Sequence, residues 1–352
     1  EQMPLALHLI ILLKLSLCSV SLALYYKYSS GLKRSDLLFT TAYALCAYTV
    51  SYCWCTLWLD AVLLLPLIAL GLRRIRDGEK PWLYLFSLSL GILSNYYMGF
   101  ILCAFSVLYF LYLLACVSGK ERGLLWRRCG SFALSSLAAG GLSACILLPV
   151  LLSQSDSKKI PFRNLFTEYT YSTSLRVLEM LFPGREAQYD SWVKYVLLAA
   201  LLSVLLLAAV LFLLFRSRRI PEKGKMALFF LCAGLLLVYG EVFENREFFL
   251  HKLLVGFTNY DEMFDGLPGI YSGLLTIPLA IHYFQSPGIR SREKTAAALF
   301  LAMLLISFRF YIPNIMWHVF TVNNCFGYRY SFVFSFFVLC LAKEAMDQLA
   351  FQ

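Results

Sequence analysis

The sequence specifies an all-α, polytopic transmembrane helical bundle, and three observations require it. Hydrophobic residues fill 60% of the 352 positions and charged residues only 15%, against about 25% charge in a typical soluble domain. Stretches such as 196–215 and 296–308 run without a charge, and about 20 apolar residues suffice to span a bilayer. The alternating segments of about ten residues that build a membrane β-barrel are absent. The net charge of +10 sits mostly in short basic clusters between apolar stretches. That is the distribution of cytoplasmic loops, so nucleic acid is not an expected partner.

Five clusters set the topology: Lys27/Lys33/Arg34, Arg73/Arg74/Arg76/Lys80, Lys120/Arg122/Arg127/Arg128, Arg216/Arg218/Arg219/Lys223/Lys225 and Arg290/Arg292/Lys294. If all are cytoplasmic, each interval between them holds an even number of crossings. The opening segment is 4–26. The following intervals divide into 37–54 and 59–72, 81–94 and 97–117, 129–151 and 193–215, and 226–240 and 267–284. The last two segments are 295–311 and 327–345, which gives about eleven crossings of a bilayer. The outer loops are then 152–192, 241–266 and 312–326.

Two crossings are short. Asp60 to Leu72 and Pro81 to Ser94 cover roughly 20 Å at about 1.5 Å per residue, less than the roughly 30 Å hydrocarbon core. Short or broken helices near the outer face mark sites, because exposed backbone polar groups are tolerated only where protein or a cavity shields them. The same parity places Glu1 outside. An outer amino terminus without a signal segment leads us to expect one transmembrane domain over 1–352 that begins downstream of at least one helix and an outer loop.

The unusual polar residues fall on the outer side. Arg329 stands between Tyr328 and Tyr330 at the interface where aromatic residues are enriched. Its planar guanidinium suits bidentate contact with a phosphate, and a snorkelling anchor is the alternative. His318 and Asn314, Asn323 and Asn324 share that loop. Asn95, Tyr96 and Tyr97 form a tight outer turn. Lys14 lies at mid-membrane depth, where a charge is expensive and faces a cavity or a carboxylate. Asp60 is an N-cap for its short helix or the nearest outer carboxylate to a site. The 241–266 loop carries six acids, Asp265 among them, read as solvated charge that leaves room for a divalent metal. The eleven cysteines sit mainly in apolar segments and show no zinc spacing. There is no P-loop, dinucleotide fingerprint or H-E-x-x-H.

"WLDAVLLLPLIALG", "NYYMGFILCAFSVLYFLYLL", "GLPGIYSGLL" and "MWHVFTVNNCFGYRYSFVFSFFVLCLA", in that order, resemble the YfhO family of bacterial membrane proteins over nearly the whole chain. That family resembles the GT-C class of integral-membrane glycosyltransferases. The resemblance implies transfer of a sugar from an undecaprenyl-phosphate donor to a cell-envelope polymer such as lipoteichoic acid, on the outer face of the bacterial cell membrane. Arg329, Tyr328 and Tyr330 would hold the donor phosphate, and His318, Asn95, Tyr96, Asp265 and Lys14 would line the pocket. GT-C enzymes place their catalytic aspartate in the first outer loop. We therefore expect that loop, and a carboxyl-terminal extracellular domain, to lie beyond this chain, and Asp60 is the remaining candidate base. A lipid or polymer transporter, with Lys14 and the broken helices lining its path, is the rival class; inverted repeats would favour it.

Overall fold

The computed structural model describes residues 2–117, 125–155, 268–309, 311–319 and 326–350. They fall almost wholly within one compact unit, made of Glu1–Leu152 and Glu247–Gln352, and only this unit is considered. The described residues are helical, with no strand among them. Three of their helices are long and apolar enough to cross a membrane, or four if one bent pair counts as a single span. Residues 156–267, which hold the expected outer loops, and residues 320–325 lie outside the described residues, and Asp265, Asn323 and Asn324 with them.

α1 (Gln2–Ser30) is followed by a pair of short helices, α2 (Asp36–Ala44) and α3 (Ala47–Ser51). The expected crossing over 37–54 is thus broken at Leu45 and Cys46. The break is repaired from far away in sequence. The non-helical run 268–273 packs against it, and the Ala47 amide donates to the Tyr271 carbonyl at 2.8 Å. A Cβ at Gly269 would lie 3.3 Å from the Tyr48 nitrogen, a tighter contact than side chains ordinarily make, so glycine eases this approach. Irregular backbone in a membrane protein survives where protein covers it, and here it does.

α4 (Thr56–Asp77) corrects an expectation. The crossing read as Asp60 to Leu72 is a 22-residue helix about 33 Å long at 1.5 Å per residue, enough to span the core. The apolar pattern stops where Arg73, Arg74 and Arg76 begin, but those residues continue the helix to Gly78, whose φ of +86° closes it. α5 (Trp82–Ser94) is short as expected, with 13 residues. α6 (Tyr96–Cys116) follows after one residue. α4, α5 and α6 pack closely through glycine. A Cβ at Gly71 would sit 2.5 Å from the Tyr84 nitrogen, and one at Gly99 would sit 2.7 Å from the Ile92 Cα. Small residues let helices approach where burial in lipid supplies no hydrophobic drive.

α7 (Leu125–Leu142) and α8 (Ala144–Ser155) meet at Ser143 with a bend of 74°, where the sequence suggests one crossing over 129–151. The remaining described helices are α9 (Thr276–Gln285), α10 (Ser291–Arg309), α11 (Tyr311–Met316) and α12 (Ser331–Ala350). Phe332, Val333, Phe336 and Leu339 of α12 are fully buried, and Phe336 packs edge-on against Tyr25, Tyr43 and Phe105. This makes α12 the central helix of the described core.

Side-chain contacts fix which ends of the helices lie together. Tyr28 donates to Glu79 at 2.6 Å, joining the carboxyl ends of α1 and α4. Lys33 pairs with Asp347 at 2.6 Å, and Lys343, only 3% exposed, contacts both Ser30 and Asp347. Arg290 reaches the Cys116 carbonyl at 3.4 Å. The basic residues at 27–34, 73–80 and 290–294 therefore gather at one end of the bundle. α1 and α4 run parallel, as the parity of the basic clusters requires. The 216–225 cluster lies outside the described residues.

Candidate functional site

The opposite end is built from the starts of α4 and α6 and the turn before α12. Asn95 forms the junction of α5 and α6. Its side-chain oxygen accepts from the backbone N–H groups of Tyr97 at 3.0 Å and Met98 at 3.1 Å, a helix N-cap. Tyr96 and Tyr97 then point from the first turn of α6, and Tyr96 is partly exposed at 39%. Tyr97 turns to the site. Its hydroxyl meets His318 Nδ1, and its ring stands 4.6 Å from the Arg329 guanidinium.

His318 is fully buried, and both its ring nitrogens are engaged. Nε2 lies 2.8 Å from the Gly327 carbonyl, which can only accept, so Nε2 carries the proton. Nδ1 of the neutral ring then accepts from the Tyr97 hydroxyl. Burial, with the positive charge of Arg329 nearby, pushes the imidazole down to about 4. The ring is thus neutral at physiological pH and holds Tyr97 against the turn 326–330 as a positioning group.

A stability prediction follows from that shift. The unfolded imidazole titrates near pH 6.5. Between that pH and the lower folded value, the unfolded chain binds more protons, so stability rises with pH across this window. The contribution of His318 is complete above about pH 6.5 and is lost as pH falls through about 4. Thermal unfolding of the purified protein should shift downward over this interval, and less steeply in His318→Gln. Identical pH profiles for the two proteins would contradict the assignment.

Arg329 enters an aromatic cage. Its guanidinium lies 5.1 Å from the Trp58 ring and 6.0 Å from Phe326, in addition to Tyr97. Trp58, Tyr52 and Trp54 all pack on Phe326. Partly desolvated cation–π contacts of this kind contribute up to about 2 kcal/mol. The flanking tyrosines take other directions. Tyr330 is fully buried, donates to the Ser307 carbonyl at 2.7 Å and accepts from Asn314 at 3.2 Å. Its ring stacks on Trp317 at 4.8 Å. Tyr328 packs edge-on against Phe308. Both brace the turn from which Arg329 projects.

Lys14 and Asp60 meet. Lys14 Nζ is 2.6 Å from Asp60 Oδ1 and 3.0 Å from the Thr56 carbonyl, and the two side chains are 19% and 23% exposed. Asp60 is therefore not the N-cap of α4. That position is Cys55, and Asp60 lies one turn inside. The partner carboxylate expected for Lys14 is Asp60 itself. Trp58, two residues earlier, touches Arg329, so the first turn of α4 carries both the ion pair and one wall of the cage.

Sequence reasoning missed Trp58 and Phe326, and it placed Tyr97 in the outer turn without giving it to the pocket. The available signal was weak: aromatic residues at interfacial positions, within motifs singled out for other side chains. Among the described residues no group of three or more His, Cys, Asp or Glu side chains is placed to hold a metal ion. The acid-rich 241–266 stretch, where a divalent metal is expected, is not among them.

Apolar spans, basic residues collected at one end and a polar, aromatic-lined site at the other define a polytopic α-helical membrane protein. The family described as bacterial membrane protein YfhO matches the chain over residues 1–245 and 245–351, and the chain belongs to that family. No curated protein and no solved structure matches it.

Proposed function

We propose that this chain is the membrane core of a glycosyltransferase that moves a sugar from a polyprenyl-phosphate donor to an envelope polymer such as lipoteichoic acid, with its site on the extracytoplasmic side. The observation that carries the reading is Arg329. A guanidinium is held in an aromatic cage at the end of the bundle opposite the described basic residues, and its planar fork suits bidentate contact with a phosphate. The apolar rings beside it suit an isoprenoid and the face of a sugar.

In this reaction an acceptor hydroxyl gives its proton to a carboxylate base while its oxygen attacks the anomeric carbon. The bond from that carbon to the phosphate oxygen breaks, and polyprenyl phosphate leaves with an additional negative charge. Arg329 stabilises the charge as it develops, which is where electrostatic catalysis has its effect. His318 and Tyr97 hold Arg329 in place, Tyr328 and Tyr330 brace its turn, and Asn95 and Tyr96 border the pocket. Asp60, held by Lys14, is the carboxylate closest in sequence to the cage wall.

The test uses the full-length protein in liposomes of bacterial lipids, supplied with radiolabelled undecaprenyl-phosphate glucose and lipoteichoic acid. Label should move to the polymer, and Arg329→Ala should stop it. Movement of intact donor lipid between leaflets, with no label on polymer across a panel of undecaprenyl-phosphate sugars, would replace this reading by the transporter one.

A further inference from the structure

At the basic end of the bundle a cleft of about 660 Å³ runs along α2. One wall is the exposed face of α2, with Leu37 and Leu38 at least half exposed, and the other is the non-helical run leading into α9, with Leu274 and Leu275 similarly exposed. Gly273 shapes this second wall. Its φ is +102°, and a Cβ there would meet Thr276 at 3.5 Å and Ala42 at 3.8 Å. The lining is almost entirely apolar, and Arg34 and Ser35 close the end nearest the basic clusters.

Several cations at that end are paired: Lys33 with Asp347, Arg74 with Glu79, Arg76 with Asp77 and Arg290 with Glu293. Among the described residues Arg34 enters no such pair, and it is the basic residue of the cleft lining. It is exposed at the mouth of an apolar channel. α2 has nine residues and is about 14 Å long at 1.5 Å per residue, close to half of the roughly 30 Å hydrocarbon core. The cleft thus runs along a helix about as long as one leaflet is deep, with an apolar lining and a single basic residue at one end.

We propose that this cleft binds one anionic phospholipid, its headgroup phosphate on Arg34 and an acyl chain along α2 against Leu274 and Leu275. The charge at the mouth favours an anionic lipid over a zwitterionic one, and the position at the basic end places the lipid in the cytoplasmic leaflet. The lipid would fill the gap that the α2–α3 break leaves between α2 and the 272–276 segment. This site is separate from the Arg329 cage, and the proposal does not rest on glycosyl transfer.

Native mass spectrometry of the purified full-length protein, titrated with phosphatidylglycerol or with phosphatidylcholine, tests it. Wild type should bind one phosphatidylglycerol at least roughly fivefold more tightly than phosphatidylcholine, the contribution of one basic residue near an anionic surface. Arg34→Gln should abolish that preference without changing the unfolding temperature, because the side chain is exposed. Ala42→Phe, which narrows the channel, should weaken both lipids. Unchanged phosphatidylglycerol binding in Arg34→Gln, or equal binding of the two lipids by wild type, would overturn the proposal. Displacement of phosphatidylglycerol by equimolar undecaprenyl phosphate would also overturn it, assigning the channel to the polyprenyl chain.

Discussion

Neutralising Asp60 alone should be among the most damaging single changes in the described core. Lys14 lies in the middle of α1, and Asp60 is its carboxylate partner at 2.6 Å. Asp60→Asn removes the countercharge and leaves the ammonium with neutral acceptors alone, the Thr56 carbonyl and the new amide oxygen. Breaking a fully buried pair from one side costs about 3–5 kcal/mol, and this half-buried pair sets that range as its upper bound, still a large part of the stability of most domains. The expected result is a sharp fall in membrane-inserted yield and unfolding temperature. The double variant Lys14→Leu/Asp60→Leu removes both charges and should recover much of that loss, since well-packed apolar replacements of ion pairs are often neutral. Transfer activity separates structure from chemistry. If Asp60 serves the reaction, the double variant folds and does not transfer sugar. Wild-type transfer by the double variant would confine the pair to a structural role, and an Asp60→Asn protein as stable as wild type would show that the pair holds nothing.

The second large effect is expected at Arg329. If Arg329 holds the donor phosphate as proposed, removing the guanidinium deletes a charge-assisted contact of about 1.5–3 kcal/mol, or roughly ten- to hundredfold in donor affinity. Arg329→Lys keeps the charge but loses the planar fork and the stacking on Trp58 and Tyr97, so it should retain only part of the binding. The measurement is equilibrium binding of undecaprenyl phosphate to the full-length protein in detergent, with folding checked by thermal unfolding. Both variants binding like wild type would reduce Arg329 to an interfacial anchor.

The class of fold was legible because lipid imposes a simple rule: long apolar runs with charge confined to their ends. The gathering of the 27–34, 73–80 and 290–294 clusters at one end was legible for the same reason, through their alternation. The length of α4 was not, because hydropathy reads solvent and the helix continues past the apolar boundary through Arg73, Arg74 and Arg76. The break between α2 and α3 was hidden as well. It depends on a hydrogen bond from Ala47 to Tyr271, a partner that no local pattern announces. At the site, Arg329 and His318 stood out by residue type in an apolar context. Trp58 and Phe326 did not, since one aromatic residue among many acquires meaning only when distant segments converge on it.

The ion pairs at the basic end also bear on how the protein is made. Lys33 and its partner Asp347 are 314 residues apart. At roughly 5–20 residues per second, synthesis of the intervening chain takes roughly 15 to 60 s. Throughout that interval α1 and α2 are already emerging into the bilayer, and the carboxylate that will receive Lys33 does not yet exist. Until α12 arrives, Lys33 is without this carboxylate, so the contact that ties α12 to the α1–α2 connection can form only late in biogenesis.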